Sequence, residues 1–174
     1  MSFNKNACKR LGTIAGVNRE SMEITDTVRH IVDDYLTTLI YNVIQVVRYS
    51  GRKTITVDDI RFLSQITDLP NITYANNLTI LTKMCVNSND MLNVLQGYSG
   101  YTIYTQKKPF AELVREIVHD SCKDDLRIGK NVTLLLQNLV EHKIIRLFNR
   151  GAEFMKSCNR DTLLAKDIMH VSDK

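Results

Sequence analysis

Two stretches of the chain place apolar residues at the three-and-four spacing of a single helix face. The first runs through Ile24, Val28, Ile31, Val32, Tyr35, Leu36, Leu39, Ile40, Val43, Ile44 and Val47. The second runs through Val132, Leu135, Leu136, Leu139, Val140, Ile144, Leu147, Phe148, Ala152 and Met155. Each pattern predicts a helix of about 25–30 residues, about 40 Å long at the α-helical rise. A stripe that wide cannot be covered by short flanking helices, so each long helix needs a partner, and the other copy is the nearest. Short helices are predicted on both sides of each. Lys5–Ala15 ends near Gly16, and Val57–Ile66 opens on Thr56 as N-cap with Asp58 and Asp59 in its first turn. Phe110–Ser121 opens with Pro109, which a first turn tolerates, and Ala165–Val171 closes the pattern. The plan is short, long, short, twice over: an all-α fold.

The chain also repeats itself in its polar residues. Arg52 and Thr54 lead into Asp59-Ile60, and Arg160 and Thr162 lead into Asp167-Ile168, both reading R-x-T-x-x-x-x-D-I, 108 residues apart. A second anchor keeps that offset: Arg19 lies 33 residues before Arg52, and Arg127 lies 33 before Arg160. Repeated pairs at this spacing predict two loop-fixing salt bridges, Arg52 with Asp59 and Arg160 with Asp167.

Three regions follow: a helical unit over 1–68, a connector over 69–108 and a second helical unit over 109–174. The connector is rich in Asn, Thr and Tyr, with one helix expected near 89–96 and a shorter one around 78–86. Its tyrosines read better as packing than as a base-stacking platform. Only seven Gly and two Pro occur in 174 residues, which argues against a turn-rich β architecture. The N-terminus has no apolar core of a secretory signal, and no apolar run approaches a bilayer-spanning length, so a soluble intracellular protein is expected.

Net charge is +4, spread as +1, +2 and +1 over the three regions, so bulk charge alone does not mark a nucleic-acid binder. Cys8, Cys85, Cys122 and Cys158 stand singly, as do His30, His119, His142 and His170, with no metal-ligand spacing. No nucleophile elbow, phosphate-binding Gly loop or HExxH is present. No catalysis, cofactor or metal is expected.

Short–long–short helices with these loops resemble the histone fold. AGVNRES, the long helix and GRKTITVDDI resemble histone H-four, and KKPFAELVREIVHDSCKDDLRIGKN with NRDTLLAKDI resembles histone H-three. A fusion in this order is similar to the core histone doublets of large DNA viruses of the Marseillevirus type. The resemblance implies two histone folds paired in an intramolecular head-to-tail handshake. It implies a structural DNA-packaging protein that binds backbone and minor groove without strong sequence specificity. Implied partners are double-stranded DNA, a second copy of the chain and a second doublet resembling the other two core histones, with no membrane. The implied setting is chromatin, in a virion, a viral replication site or a host nucleus.

The handshake implied by the resemblance sets the first loop of one copy beside the second loop of the other. One end would hold Arg19 with Arg160 and Thr162; the other would hold Arg127 with Arg52, Lys53 and Thr54, and Lys130 nearby. Lys9, Arg10 and Arg115 would form a site midway, with Lys107 and Lys108, which are equally readable as solvated charge. For Arg52 and Arg160 a dual role is expected, fixing the loop and touching DNA. The resemblance further implies self-association through Phe154, Ser157, Cys158, Arg160, Asp167 and His170, and contact with the second doublet through Val46, Tyr49 and Phe62.

The chain departs from the family in several places. Long basic tails are not expected, and Thr13, Glu112 and Asn159 stand where a basic residue is usual, with Asp161 beside the expected DNA edge. Looser DNA binding follows from the lost contacts, and the backbone contacts that remain make it salt-sensitive. The rival reading is a histone-fold interaction module of the transcription or centromere type that hardly touches DNA. A mimic of host histones would call for an acidic surface.

Overall fold

A computed structural model of the protein describes residues 5–66, 103–122 and 125–172. The expected connector helices near 78–86 and 89–96 lie outside these residues. The element order is α1 (Lys5–Ile14), α2 (Ile24–Tyr49), β1 (Thr54–Ile55), α3 (Val57–Ile66), α4 (Lys107–Ser121), β2 (Arg127–Ile128), α5 (Val132–Ser157) and α6 (Ala165–Ser172). The two long helices have 26 residues each, about 39 Å of rise.

Both long helices stop the same way. Gly51 takes the left-handed conformation after α2 (φ 65°), and its N–H donates to the Arg48 carbonyl at 2.9 Å while Arg52 N–H donates to Val47 at 3.2 Å. After α5 the equivalent residue is Asn159 (φ 52°), donating to Lys156 at 2.9 Å, with Arg160 donating to Met155 at 3.2 Å. Glycine meets no steric penalty there and asparagine only a small one, so both end the helix and satisfy its last carbonyls.

The halves are interleaved rather than side by side. Helix α1 packs on α5 and α4 packs on α2, so each short first helix covers the other unit's long helix as well as its own. Helix α6 touches both long helices. A single apolar cluster runs from Cys8 and Leu11 on α1 through Leu36 and Ile40 on α2 to Phe148 on α5 and Ile168 on α6. Neither half could bury its stripe alone.

Two parallel backbone contacts close the ends. Thr54 and Ile55 of β1 pair with Arg127 and Ile128 of β2, and Glu20 pairs with Leu163. At the first junction the Arg127 N–H donates to Lys53 O (2.9 Å) and the Gly129 N–H to Ile55 O (2.8 Å). At the second the Leu163 N–H donates to Arg19 O (3.0 Å) and the Ser21 N–H to Leu163 O (2.9 Å). Glycine is required at 129, where a Cβ would stand 2.5 Å from the Ile55 carbonyl oxygen.

Three details differ from the sequence-based expectations. Helix α4 starts at Lys107, with Pro109 third in its first turn rather than just before it. The missing N–H is still harmless, because the first helical N–H groups have no intrahelical acceptor. Thr56 stands before α3, but its hydroxyl donates to Asp59 Oδ2 (2.8 Å) instead of accepting from the helix, and its N–H donates to the same oxygen (2.7 Å). The carboxylate is the stronger acceptor and takes over the capping. The third difference is a buried clasp. Glu141 of α5, with no solvent exposure, accepts from Tyr104 N–H (3.0 Å), Thr105 N–H (2.7 Å) and the Thr105 hydroxyl (2.6 Å). Gln137, one turn earlier, donates to the Thr105 carbonyl at 2.7 Å. The segment entering α4 is thereby fixed to the other side of its own unit.

Candidate nucleic-acid interface

The parallel junctions bring loop cations together at both ends. At the β1–β2 end, Arg52, Lys53, Arg127 and Lys130 are exposed, and Thr54 is half-buried opposite Arg127. At the other end, Arg19 is exposed and Arg160 half-buried, and both line a shallow hollow of about 360 Å³ with Gly16, Asn18, Lys156 and Asp161. Thr162 is half-buried, its carbonyl 3.5 Å from Arg160 Nη1. Lys156 lies outside the expected set; its place in the last turn of α5, just before the repeat motif, is the signal that marks it.

The loop arginines are anchored. Arg160 donates to both oxygens of Asp167, at 2.9 and 2.7 Å, and Asp167 also accepts the Leu164 N–H at 2.9 Å. Arg52 donates to Asp59 Oδ2 at 3.2 Å and also to Oδ1. Asp167 is wholly buried and Asp59 is 3% exposed, whereas both arginines keep a solvent-facing edge. The guanidinium of Arg160 holds the Asp167 carboxyl below its ordinary range. Burial alone would raise Asp59, but hydrogen bonds from Arg52 and Thr56 bring it below its ordinary value. A fork fixed on one side by a carboxylate presents its remaining edge in one orientation, which suits phosphate or a narrow groove.

Lys9 and Arg10 on α1 are exposed, as are Lys107, Lys108 and Arg115 on α4. Burial raises the Glu20 carboxyl, and Lys9 and Lys5 act on it in the opposite direction. Of the residues expected on a self-association surface, Phe154 is half-buried with its ring centroid 4.6 Å from that of His170. Ser157, Cys158 and His170 are exposed. Asp167 is buried, its carboxylate held by Arg160 and the Leu164 N–H. In the first unit Tyr49 is 92% exposed and Phe62 52%, with Val46 half-buried.

Among the described residues, no three His, Cys, Asp or Glu side chains gather as metal ligands. No helix among them is long and apolar enough to cross a membrane.

Residues 101–172 match the core histone domain family, the one shared by histones H-two-A, H-two-B, H-three and H-four. The chain is similar to the crystal structure of the histone from Methanopyrus kandleri, with a TM-score of 0.63 and 17% identity, over 95% of this chain and 89% of that one. The likeness thus spans both helical units, not one of them. No curated protein matches the chain in sequence. The fold is two histone folds paired head to tail within one polypeptide. Neither comparison indicates an enzyme family.

Proposed function

We propose that this chain is a structural DNA-packaging protein that binds the backbone and minor groove of double-stranded DNA with little sequence preference. The observation that carries this reading is the convergence of Arg19 with Arg160 and Lys156 at one end and of Arg127 with Arg52 and Lys53 at the other. Flat, permanently charged guanidinium groups beside backbone N–H groups and threonine hydroxyls bind phosphate and tolerate a narrow groove. Arginines inserted at successive inward-facing minor grooves are the known arrangement of the histone octamer, and that spacing is borrowed from it. Lys9, Arg10 and Arg115, with Lys107 and Lys108, add contacts between the ends. Lys130, beside the start of α5, adds one at the β1–β2 end.

In the same reading the fused pair is half of a tetramer-like core. A second copy joins through Phe154, Ser157, Cys158 and His170. A protein pair resembling the other two core histones joins through Val46, Tyr49 and Phe62. The complex belongs to chromatin, in a virion, a viral replication site or a host nucleus.

The exposed Tyr49 and Phe62 also favour a second reading, a histone-fold module whose work is protein–protein contact. Nuclease digestion of duplex DNA reconstituted with the full chain separates the two. A discrete protected fragment supports packaging. A featureless digest, with protein complexes intact, supports the interaction module.

A further inference from the structure

One strongly charged surface has no part in the DNA edge. Lys143, Arg146 and Arg150 lie at positions i, i+3 and i+7 of α5, a single row about 10 Å long. Among the described residues no ion pair engages any of them. Glu153 is exposed one turn further on but makes no ion pair with Arg150. Like charges at these spacings repel one another. Lys143 shows it: its ammonium is pushed down by burial first and by Arg146 and Arg150 next, with no carboxylate acting on it. The Lys143 Nζ lies 5.6 Å from the ring centroid of Tyr35 on α2, whose hydroxyl is buried with no hydrogen-bond partner among the described residues.

The row also faces away from α1. Phe148 marks the side of α5 that α1 covers, since a Cβ on Gly12 would come within 3.5 Å of its ring. At about 100° per residue the three cations stand about 140–160° round the helix from Phe148. DNA running over the loop ends and α1 would pass on the other side.

We propose that the Lys143–Arg146–Arg150 face of α5 docks an acidic polypeptide segment, rich in Asp or Glu, independently of DNA. The face is short, and Lys143 and Arg150 are half-buried while Arg146 is exposed. An extended peptide can lower its carboxylates onto such recessed cations, whereas a broad duplex meets a flat or convex basic edge. Docking would relieve the repulsion within the row and would weaken with salt.

The test uses the full chain, a fluorescent deca-glutamate peptide and a labelled duplex of about 30 bp, with anisotropy read at low salt. In R146E/R150E the peptide affinity falls by about tenfold or more while duplex affinity changes by less than about threefold. R19Q/R127Q shows the opposite pattern. Circular dichroism and the milder R146Q/R150Q variant establish that the fold is intact. An equal loss of duplex binding in R146E/R150E would place the row on the DNA path and overturn the proposal. So would peptide binding that depends on Arg19 and Arg127 instead. A change in sedimentation of the free chain in R146Q/R150Q would show a second copy covering the face, with the same consequence. The proposal can fail in each of these ways while DNA packaging stands.

Discussion

Arg160 meets both oxygens of Asp167, and the same carboxylate receives the backbone N–H of Leu164. Arg52 and Asp59 repeat the arrangement 108 residues earlier, with Thr56 N–H in place of Leu164 N–H. One buried acid thus fixes an arginine, caps a short helix and sets the shape of a loop.

Removing the charge from that acid should loosen the loop and the helix after it. D167N is expected to lower stability by about 2–4 kcal/mol, because it weakens a partly buried pair and the cap together. Chemical denaturation of variant and parent reads the difference.

The pH dependence has a definite sign. Both aspartates titrate below their ordinary range in the folded state. Their stabilisation is therefore full above the unfolded-state value of about 4 and is lost as pH falls through the lower folded values. Denaturation midpoints followed from neutral pH down to about pH 2.5 should show an acid limb in the parent. A shallower limb is expected in D59N/D167N.

Gly129 is a tighter constraint than its neighbours suggest. G129A would drive a methyl into the Ile55 carbonyl oxygen and part β1 from β2, costing about 2–4 kcal/mol. G12A is the control: a Cβ there meets Phe148 and Glu20 only at 3.5 Å, and the helix gains propensity, so stability should hold or rise by up to about 1 kcal/mol. Comparable losses in both variants would contradict the junction geometry.

Glu141 should matter more for its oxygens than for its charge. E141A strands the amides of Tyr104 and Thr105 and the Thr105 hydroxyl, with an expected loss of about 3–5 kcal/mol. E141Q keeps one acceptor oxygen and should lose less. Hydrogen exchange at residues 104 and 105 should quicken in E141A before the rest of the fold opens.

The parts of the fold legible in the sequence are those with local periodicity. Apolar residues from Ile24 to Val47 and from Val132 to Met155 mark a stripe on each helix, and a stripe that wide already demands a partner. That α5 is buried all round from Leu134 to Glu141 is not legible in it. Fold-level pairing follows from that demand and from the resemblance to histones. The Glu141 clasp is not legible there because a lone acid in a helix looks like solvated charge, and its partners lie 36 and 37 residues away. Pro109 draws the start of α4 too late, since proline is compatible with several first-turn positions. At the loops, the repeat marks which arginines and acids correspond. It carries no sign that Asp167 is wholly buried while its arginine keeps an edge in solvent. The row of cations on α5 is hidden for another reason: only the position of Phe148 against α1 shows which way it faces.

Duplex binding measured against salt tests the central claim most directly. If the loop cations at the two ends grip the DNA backbone, log affinity falls linearly with log salt for any sequence. R19Q/R127Q should then lower the slope by about two units, one for each phosphate contact removed. Affinity that ignores salt, or a slope unchanged by losing both arginines, would contradict it.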